Sequence, residues 1–417
     1  MMVRRIPASI ALAATLAVAA CELPAPPPPG DGVDLPEGAC GHALYVVATD
    51  GRYQSTSVSI ATWTGETASA GILTSGSEEP GLSAALSGDV VAPTTRTSSG
   101  EVVLIDRYPA AVLTFFDPVA PAVRAQLSVQ TGFYSNPQDY LELDDGRAYV
   151  TRYGRNLDPG KEPFDTGSDV LIIDRKSPSI VGRIDLDAVI EGEDPALLPA
   201  PNRMVKNAST VFALVTSYSR DFKKSGDARL IAIDPSTDAI VSTLPLANLR
   251  GCLGLAIAPS GTRLAVLCSG TFTGPSTPTN ENAGIAIATV SGTTLALESR
   301  LDAPPRPLGQ AAAFASEDVL LATTLGELDD QGEPAVADQL LEIDLGTNAT
   351  RELLSSAGAP FSFGDVRCEP ACGACFLADA SRAVIQRMAV ASGHATAPKA
   401  YAVDDGLGSL PRWLGAY

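Results

Sequence analysis

Two histidines, His42 and His394, are all the imidazole in a chain of 417 residues, and they stand at opposite ends of it. No G-x-S-x-G, H-E-x-x-H or phosphate-loop spacing accompanies them, so no nucleophile with its base, zinc pair or nucleotide cradle can be assembled from spacing. Each reads as a surface imidazole near a strand end rather than as a base or ligand. The run Asp329-Asp330-Gln331-Gly332-Glu333 lacks the alternate-position oxygens of a calcium loop and reads as a solvated turn. Asp174, Asp234 and Asp344 each precede a Ser or Thr by three residues. A carboxylate that repeats in this way is a turn device, accepting hydrogen bonds from the backbone N–H groups two and three residues on. Arginine is the chemistry that remains. Arg152, Arg155, Arg203, Arg306 and Arg412, with Tyr153 among them, flank apolar runs in a chain whose formal charge is -19. Guanidinium groups that converge in a partly desolvated mouth would hold a carboxylate or phosphate in bidentate fashion.

The cysteines carry the second signal. Cys21 follows Val18-Ala19-Ala20, after Arg4, Arg5 and an apolar run over residues 6–20. A basic start, a short apolar stretch and small residues before a junction describe an export signal over residues 1–20 rather than a membrane span. The small residues before Cys21 resemble a bacterial lipobox, which implies cleavage there and lipidation of Cys21, with several acyl chains giving stable anchoring. Residues 21–39 then read as a tether, because prolines 24, 26, 27, 28 and 29 enforce an extended path that cannot pack a core. Six cysteines remain, an even number in an exported chain, and are expected as disulfides. Cys252 and Cys268 stand equidistant from a Pro259-Ser260-Gly261 turn, and Cys368 and Cys375 face each other across residues 370–373. Cys40 and Cys372 are left, where a bridge would staple the two ends of the fold. Cys368-x-x-x-Cys372-x-x-Cys375 also has the spacing of a radical-enzyme iron–sulfur motif, but no alternating strand and helix pattern surrounds it. Phe376 rather than His follows Cys372-x-x-Cys375, so it is not a c-type haem site.

The elements that must position these residues are strands. Residues 229–244 read as strand, four-residue turn, strand, and the unit recurs with marks at Thr62, Asp117, Asp174, Asp234, Thr289, Asp344 and Ala389. A period of about 55 residues holding four short strands is the signature of a β-propeller blade. Residues 40–417 divide into seven such units, so one all-β, seven-bladed propeller of four-stranded blades consumes the exported chain. The first blade opens with a second-type strand, and residues 406–417 form a first-type strand with no blade after it. The C-terminal strand is therefore expected to join the first blade and close the ring without an open edge. Tyr149-Val150-Thr151-Arg152, after an Asp145-Gly146 turn and before the Ile-Asp-x-x-Ser/Thr unit, resembles the motif of the YVTN-type β-propeller repeat proteins, matching three of its four letters. That resemblance implies the fold and leaves function open.

Composition narrows the partners. Lys plus Arg is 29 against 48 Asp plus Glu, with no basic run, which excludes nucleic acid and anionic headgroups as ligands. The sequence predicts an envelope-anchored monomer, at the outer membrane, that acts as a binding module for an envelope protein or glycan, with no cofactor and no metal. The alternative is a propeller enzyme, a lactonase-like hydrolase or a quinone- or metal-dependent dehydrogenase, working at the channel mouth. Long connections between second and third strands, at residues 154–168, 217–227, 269–283 and 326–338, share one face with the segments leading into each first strand. Those segments carry Asn136-Pro137-Gln138-Asp139, Asn202-Arg203, Arg306-Pro307 and Pro411-Arg412-Trp413. First strands line the channel, so Arg203, Arg306 and Arg412 are expected at its mouth, with Arg152, Tyr153 and Arg155 beside them.

Overall fold

Each blade turns on the hairpin that the sequence marks. In the computed structural model, which describes residues 32–271, 282–302, 304 and 306–417, Asp117, Asp174, Asp234 and Asp344 are the last residues of third strands. Their carboxylates cap the following turns: Asp174 accepts from Lys176 N at 2.9 Å, Asp234 from Ser236 N at 2.9 Å, and Asp344 from Gly346 N at 3.0 Å and Thr347 N at 2.9 Å. The repeated aspartate is a structural part, as its periodicity implies.

Seven antiparallel sheets, each built on four strands, form the seven blades of the propeller. Blade 1 is closed by the C-terminal strand. Leu410–Ala416 is its innermost strand and pairs with Leu44–Thr49, Leu44 lying opposite Ala416 and Thr49 opposite Leu410. The close approach here requires Gly415, because a Cβ at that position would enter the Tyr45 ring. The remaining blades follow in chain order, with first strands at Val90–Val91, Pro137–Glu142, Leu197–Lys206, Cys252–Ile257, Leu308–Phe314 and Phe363–Glu369.

Burial explains the two kinds of strand in the sequence. Second and third strands pack on both faces between neighbouring blades, so runs such as Leu44–Thr49 and Val102–Asp106 are buried throughout. Outer strands such as Ser179–Asp185 and Ala239–Leu246 alternate because one face meets water. The core therefore lies between blades. Val103, Ile105 and Phe115 of blade 2 pack on Tyr140, Val150 and Leu171 of blade 3, with the Phe115 and Tyr140 rings edge-on at 5.9 Å.

Three disulfides staple this ring. Cys252–Cys268 and Cys368–Cys375 join residues that already face each other in register, while Cys40–Cys372 ties the N-terminal segment to blade 7. Part of the expected tether belongs to the propeller: Val33 N donates to Pro118 O at 2.8 Å, and Val33 and Leu35 pack on the core of blades 1 and 2. Cys21 lies outside the described residues.

Candidate functional site at the channel mouth

The six residues expected at the mouth divide. Arg203 and Tyr153 line it; Arg152, Arg155, Arg306 and Arg412 do not. Arg152 is fully buried and forms a two-pronged pair with Asp169 at 2.8 and 2.7 Å. It also donates to Val129 O, Thr131 Oγ1 and Phe164 O, and covers the Phe133 ring. The alternation of its strand turns it toward the blade 2–3 connection instead of the channel. Arg155 pairs with Asp187 at 2.7 and 2.8 Å, and Arg306 donates to Ala337 O at 2.9 Å. A bulge decides Arg412: Val47 pairs with Trp413 and Ala48 with Pro411, which leaves Arg412 as the unpaired residue. It is turned to Phe361 O, at 2.9 Å, and the Tyr53 ring, and Trp413 takes the channel position.

Trp413 organises the mouth that results, a cavity of about 350 Å³. The guanidinium of Arg203 stands 5.3 Å and that of Arg107 5.6 Å from its ring, so two cations share one indole. Arg107 is fixed by an ion pair with Asp89 and by Gln138 Oε1 at 3.4 Å, and Gln138 is itself fixed by Asn136 Oδ1 at 2.7 Å. One wall is aromatic. Tyr153 stacks on Phe222 at 6.3 Å and lies 6.1 Å from Tyr218. Burial pushes the Tyr153 hydroxyl far up and that of Tyr218 up to about 12, so this wall stays neutral. Among the described residues the charged groups lining the mouth are two guanidiniums and the carboxylate of Asp89, in a chain of net charge -19.

Blade 2 separates this mouth from a second cavity. Its first strand ends after Val91, and the chain then crosses the channel. Thr94 N donates to Asp139 at 2.9 Å, Arg203 donates to Thr94 Oγ1 at 3.1 Å, and Arg367 donates to Pro93 O at 2.7 Å and Thr94 O at 3.0 Å. Burial raises Asp139, and raises Glu369 against the opposing pull of Arg367. Below the crossing lies a cavity of about 660 Å³, bordered by Arg203, Asp365, Arg367 and Glu369.

Arg107, Asp89, Gln310, Asp365 and Arg367 also line these cavities, without being among the residues expected there from the sequence. A signal existed for the last two: Asp365, Arg367 and Glu369 alternate with apolar or Cys neighbours on a first strand, Phe363–Glu369, and period two aims them at the channel. Arg107 directly follows a second strand, Val102–Asp106, on the long-loop face, a position as telling as the lead-in segments. Among the described residues no group of three or more His, Cys, Asp and Glu side chains could hold a metal ion. His42 Nδ1 lies 2.7 Å from Leu35 O, and His394 Nδ1 lies 3.2 Å from Glu342.

No protein-family model matches the chain, and no curated protein does. Solved structures do. Hydrazine synthase of Kuenenia stuttgartiensis aligns with TM-score 0.53 at 10% identity, over 75% of this chain and 78% of that one. A provisionally assigned 6-phosphogluconolactonase of Bacteroides uniformis aligns with TM-score 0.51 at 12% identity, over 89% of this chain and 98% of its own. Another provisional assignment of that kind, from Bacteroides fragilis, gives TM-score 0.50 at 10% identity, over 90% and 98%. The likeness is one of fold. At these identities it assigns no activity.

Proposed function

We propose that this chain is a binding module of the bacterial envelope, held by a lipid on Cys21, whose working surface is the long-loop face. One observation carries the reading. On that face Tyr53, Phe222 and Phe361 adopt φ of 55°, 55° and 58°, a left-handed backbone that suits glycine, while remaining 54%, 67% and 51% exposed. A bulky residue there costs roughly 1–3 kcal/mol of strain, and these three recover little of it by burial. On the opposite face the non-glycine residues with positive φ in the third-to-fourth-strand turns are Asp238, Asn348 and Ser392, small polar residues suited to such turns. Display of the aromatic rings is what such strain secures, and display serves recognition.

Tyr108, Tyr134, Leu157, Leu328 and Leu407 are exposed on other connections of the same face. Aromatic and aliphatic side chains around a mouth holding Trp413 and two arginines match the composition of protein–protein hot spots, so the partner is an envelope protein that offers a carboxylate to the mouth. Aliphatic residues on the rim fit a glycan less well. The geometry of the N-terminus supports the anchoring. Val33 joins the propeller at the Pro118 turn, on the face opposite the long loops, and the eleven residues between it and Cys21 would span about 35 Å if extended. A lipid on Cys21 would leave the rim facing away from its membrane. A lactonase-like hydrolase stays the alternative, and the assay below separates the two.

The test replaces Tyr53, Phe222 and Phe361 together by glycine. Relief of strain predicts unchanged or higher stability in urea, with loss of the envelope proteins that wild type captures by cross-linking and with no lactone hydrolysis by either form. A destabilised variant would make the rings structural. A stable variant that captures the same proteins would remove the rim from consideration, and turnover of a lactone by wild type would favour the enzyme.

A further inference from the structure

Nine carboxylates are buried among the described residues: Asp106, Asp139, Glu142, Asp165, Asp169, Asp338, Glu342, Asp365 and Asp379. Eight accept at least one hydrogen bond. Asp365 accepts none, and its nearest charged partner, Arg203 Nη2, stands at 3.7 Å, beyond hydrogen-bond length. The buried arginines show the same contrast. Arg152 donates five hydrogen bonds, Arg367 three and Arg229 two. Arg203 donates one, to Thr94 Oγ1 at 3.1 Å. Among the described residues the least satisfied buried anion and the least satisfied buried cation are thus neighbours, and both border the cavity below the channel crossing.

Buried polar groups are normally paired, and a group that is not calls for a reason. A simple anion on Arg203 would meet the charge of Asp365, and a simple cation on Asp365 would meet that of Arg203. A ligand carrying both charged groups on one carbon satisfies both residues at once. We infer that this cavity binds an α-amino acid as its zwitterion, the carboxylate accepting from Arg203 and the ammonium donating to Asp365. The single carbon between those two groups suits a pair of partners 3.7 Å apart, whereas a longer spacer would separate the charges too far. Ala312 borders the same cavity, and so do Val205, Leu255, Phe314 and Val366, whose side chains belong to the cores between blades. The cavity volume of about 660 Å³ lies within the range of small-molecule sites. Arg203 lines the mouth as well, but Asp365 borders only this cavity, so Asp365 is what distinguishes the zwitterion site from the rim.

Calorimetric titration of the purified full chain tests the inference, with leucine, isovalerate, isoamylamine and γ-aminobutyrate as probes. Leucine should bind about tenfold or more tightly than the other three, and Asp365→Asn should weaken leucine by a similar factor. The triple glycine variant of the rim should leave leucine binding unchanged, which keeps failure of the rim distinct from failure here. Binding of isovalerate as tight as leucine would overturn the zwitterion, and so would leucine binding that Asp365→Asn does not alter. Absence of binding by any of the twenty amino acids would mean that water alone fills the cavity and would overturn the site. Should Asp365→Asn fail to fold, the comparison of leucine with isovalerate and isoamylamine on wild type decides.

Discussion

Removing the Cys40–Cys372 bridge should destabilise this propeller more than removing either hairpin bridge. The perturbation is a pair of alanines at each bridge in turn. Cys40 and Cys372 are separated by 332 residues, Cys252 and Cys268 by 16, and Cys368 and Cys375 by 7. A cross-link stabilises chiefly by restricting the unfolded chain, and the loop-length relation gives ~6 kcal/mol for the long loop, ~3 for the middle one and ~2.4 for the short one. In the native state the ring stays closed without the bridge, because Leu410–Ala416 remains paired to Leu44–Thr49. The loss therefore belongs to the unfolded ensemble and should slow folding more than it speeds unfolding. Urea titration is the assay. With a slope of about 3 kcal/mol/M or more for a chain of this size, the long-loop variant should lower the midpoint by up to ~2 M, about twice the effect of the Cys252→Ala/Cys268→Ala pair. Equal or smaller loss from the Cys40–Cys372 variant would refute the reasoning and leave closure to the C-terminal strand alone.

Two further outcomes are expected. Arg152→Met should cost about 3–5 kcal/mol by leaving Asp169 buried without its two-pronged partner, read as a lower urea midpoint, and adding Asp169→Asn should recover part of that loss. In acid, hydrogen bonds from Ser236 hold Asp234, and those from Thr347 hold Asp344, below the usual carboxylate range. A lowered native value means that the unfolded chain takes up protons first, so stability present above about pH 4 is lost as pH falls through the native values. Asp139, raised by burial, works in the opposite sense, its contribution falling as pH climbs. Thermal unfolding between pH 2 and pH 6 checks the sign: Asp234→Asn with Asp344→Asn should flatten the acid limb, and an unchanged limb would assign it to other groups.

The hairpin unit, its period and the odd strands at the two ends were enough to specify a seven-bladed ring closed by its C-terminal strand, because hydrophobic patterning and turn chemistry act over neighbouring residues. The pairings of Cys252 with Cys268 and Cys368 with Cys375 were legible for the same reason, since residues equidistant from a tight turn must face each other. The mouth was legible only in part. Asn136, Gln138, Arg203 and Trp413 lie on lead-in segments that topology sends to the channel, but the direction of a side chain depends on register. One bulge between Val47 and Ala48 turned Arg412 out and Trp413 in, and one partner, Asp169, drew Arg152 into the core. Nothing local announces either event. The Arg203–Asp365 pair brings together blades 4 and 7, residues 162 positions apart in sequence, and the absence of a hydrogen bond between the two is a property of the packed channel. Local sequence determined where strands begin and turn, whereas closure of the ring decided which charges meet and which are left facing a cavity.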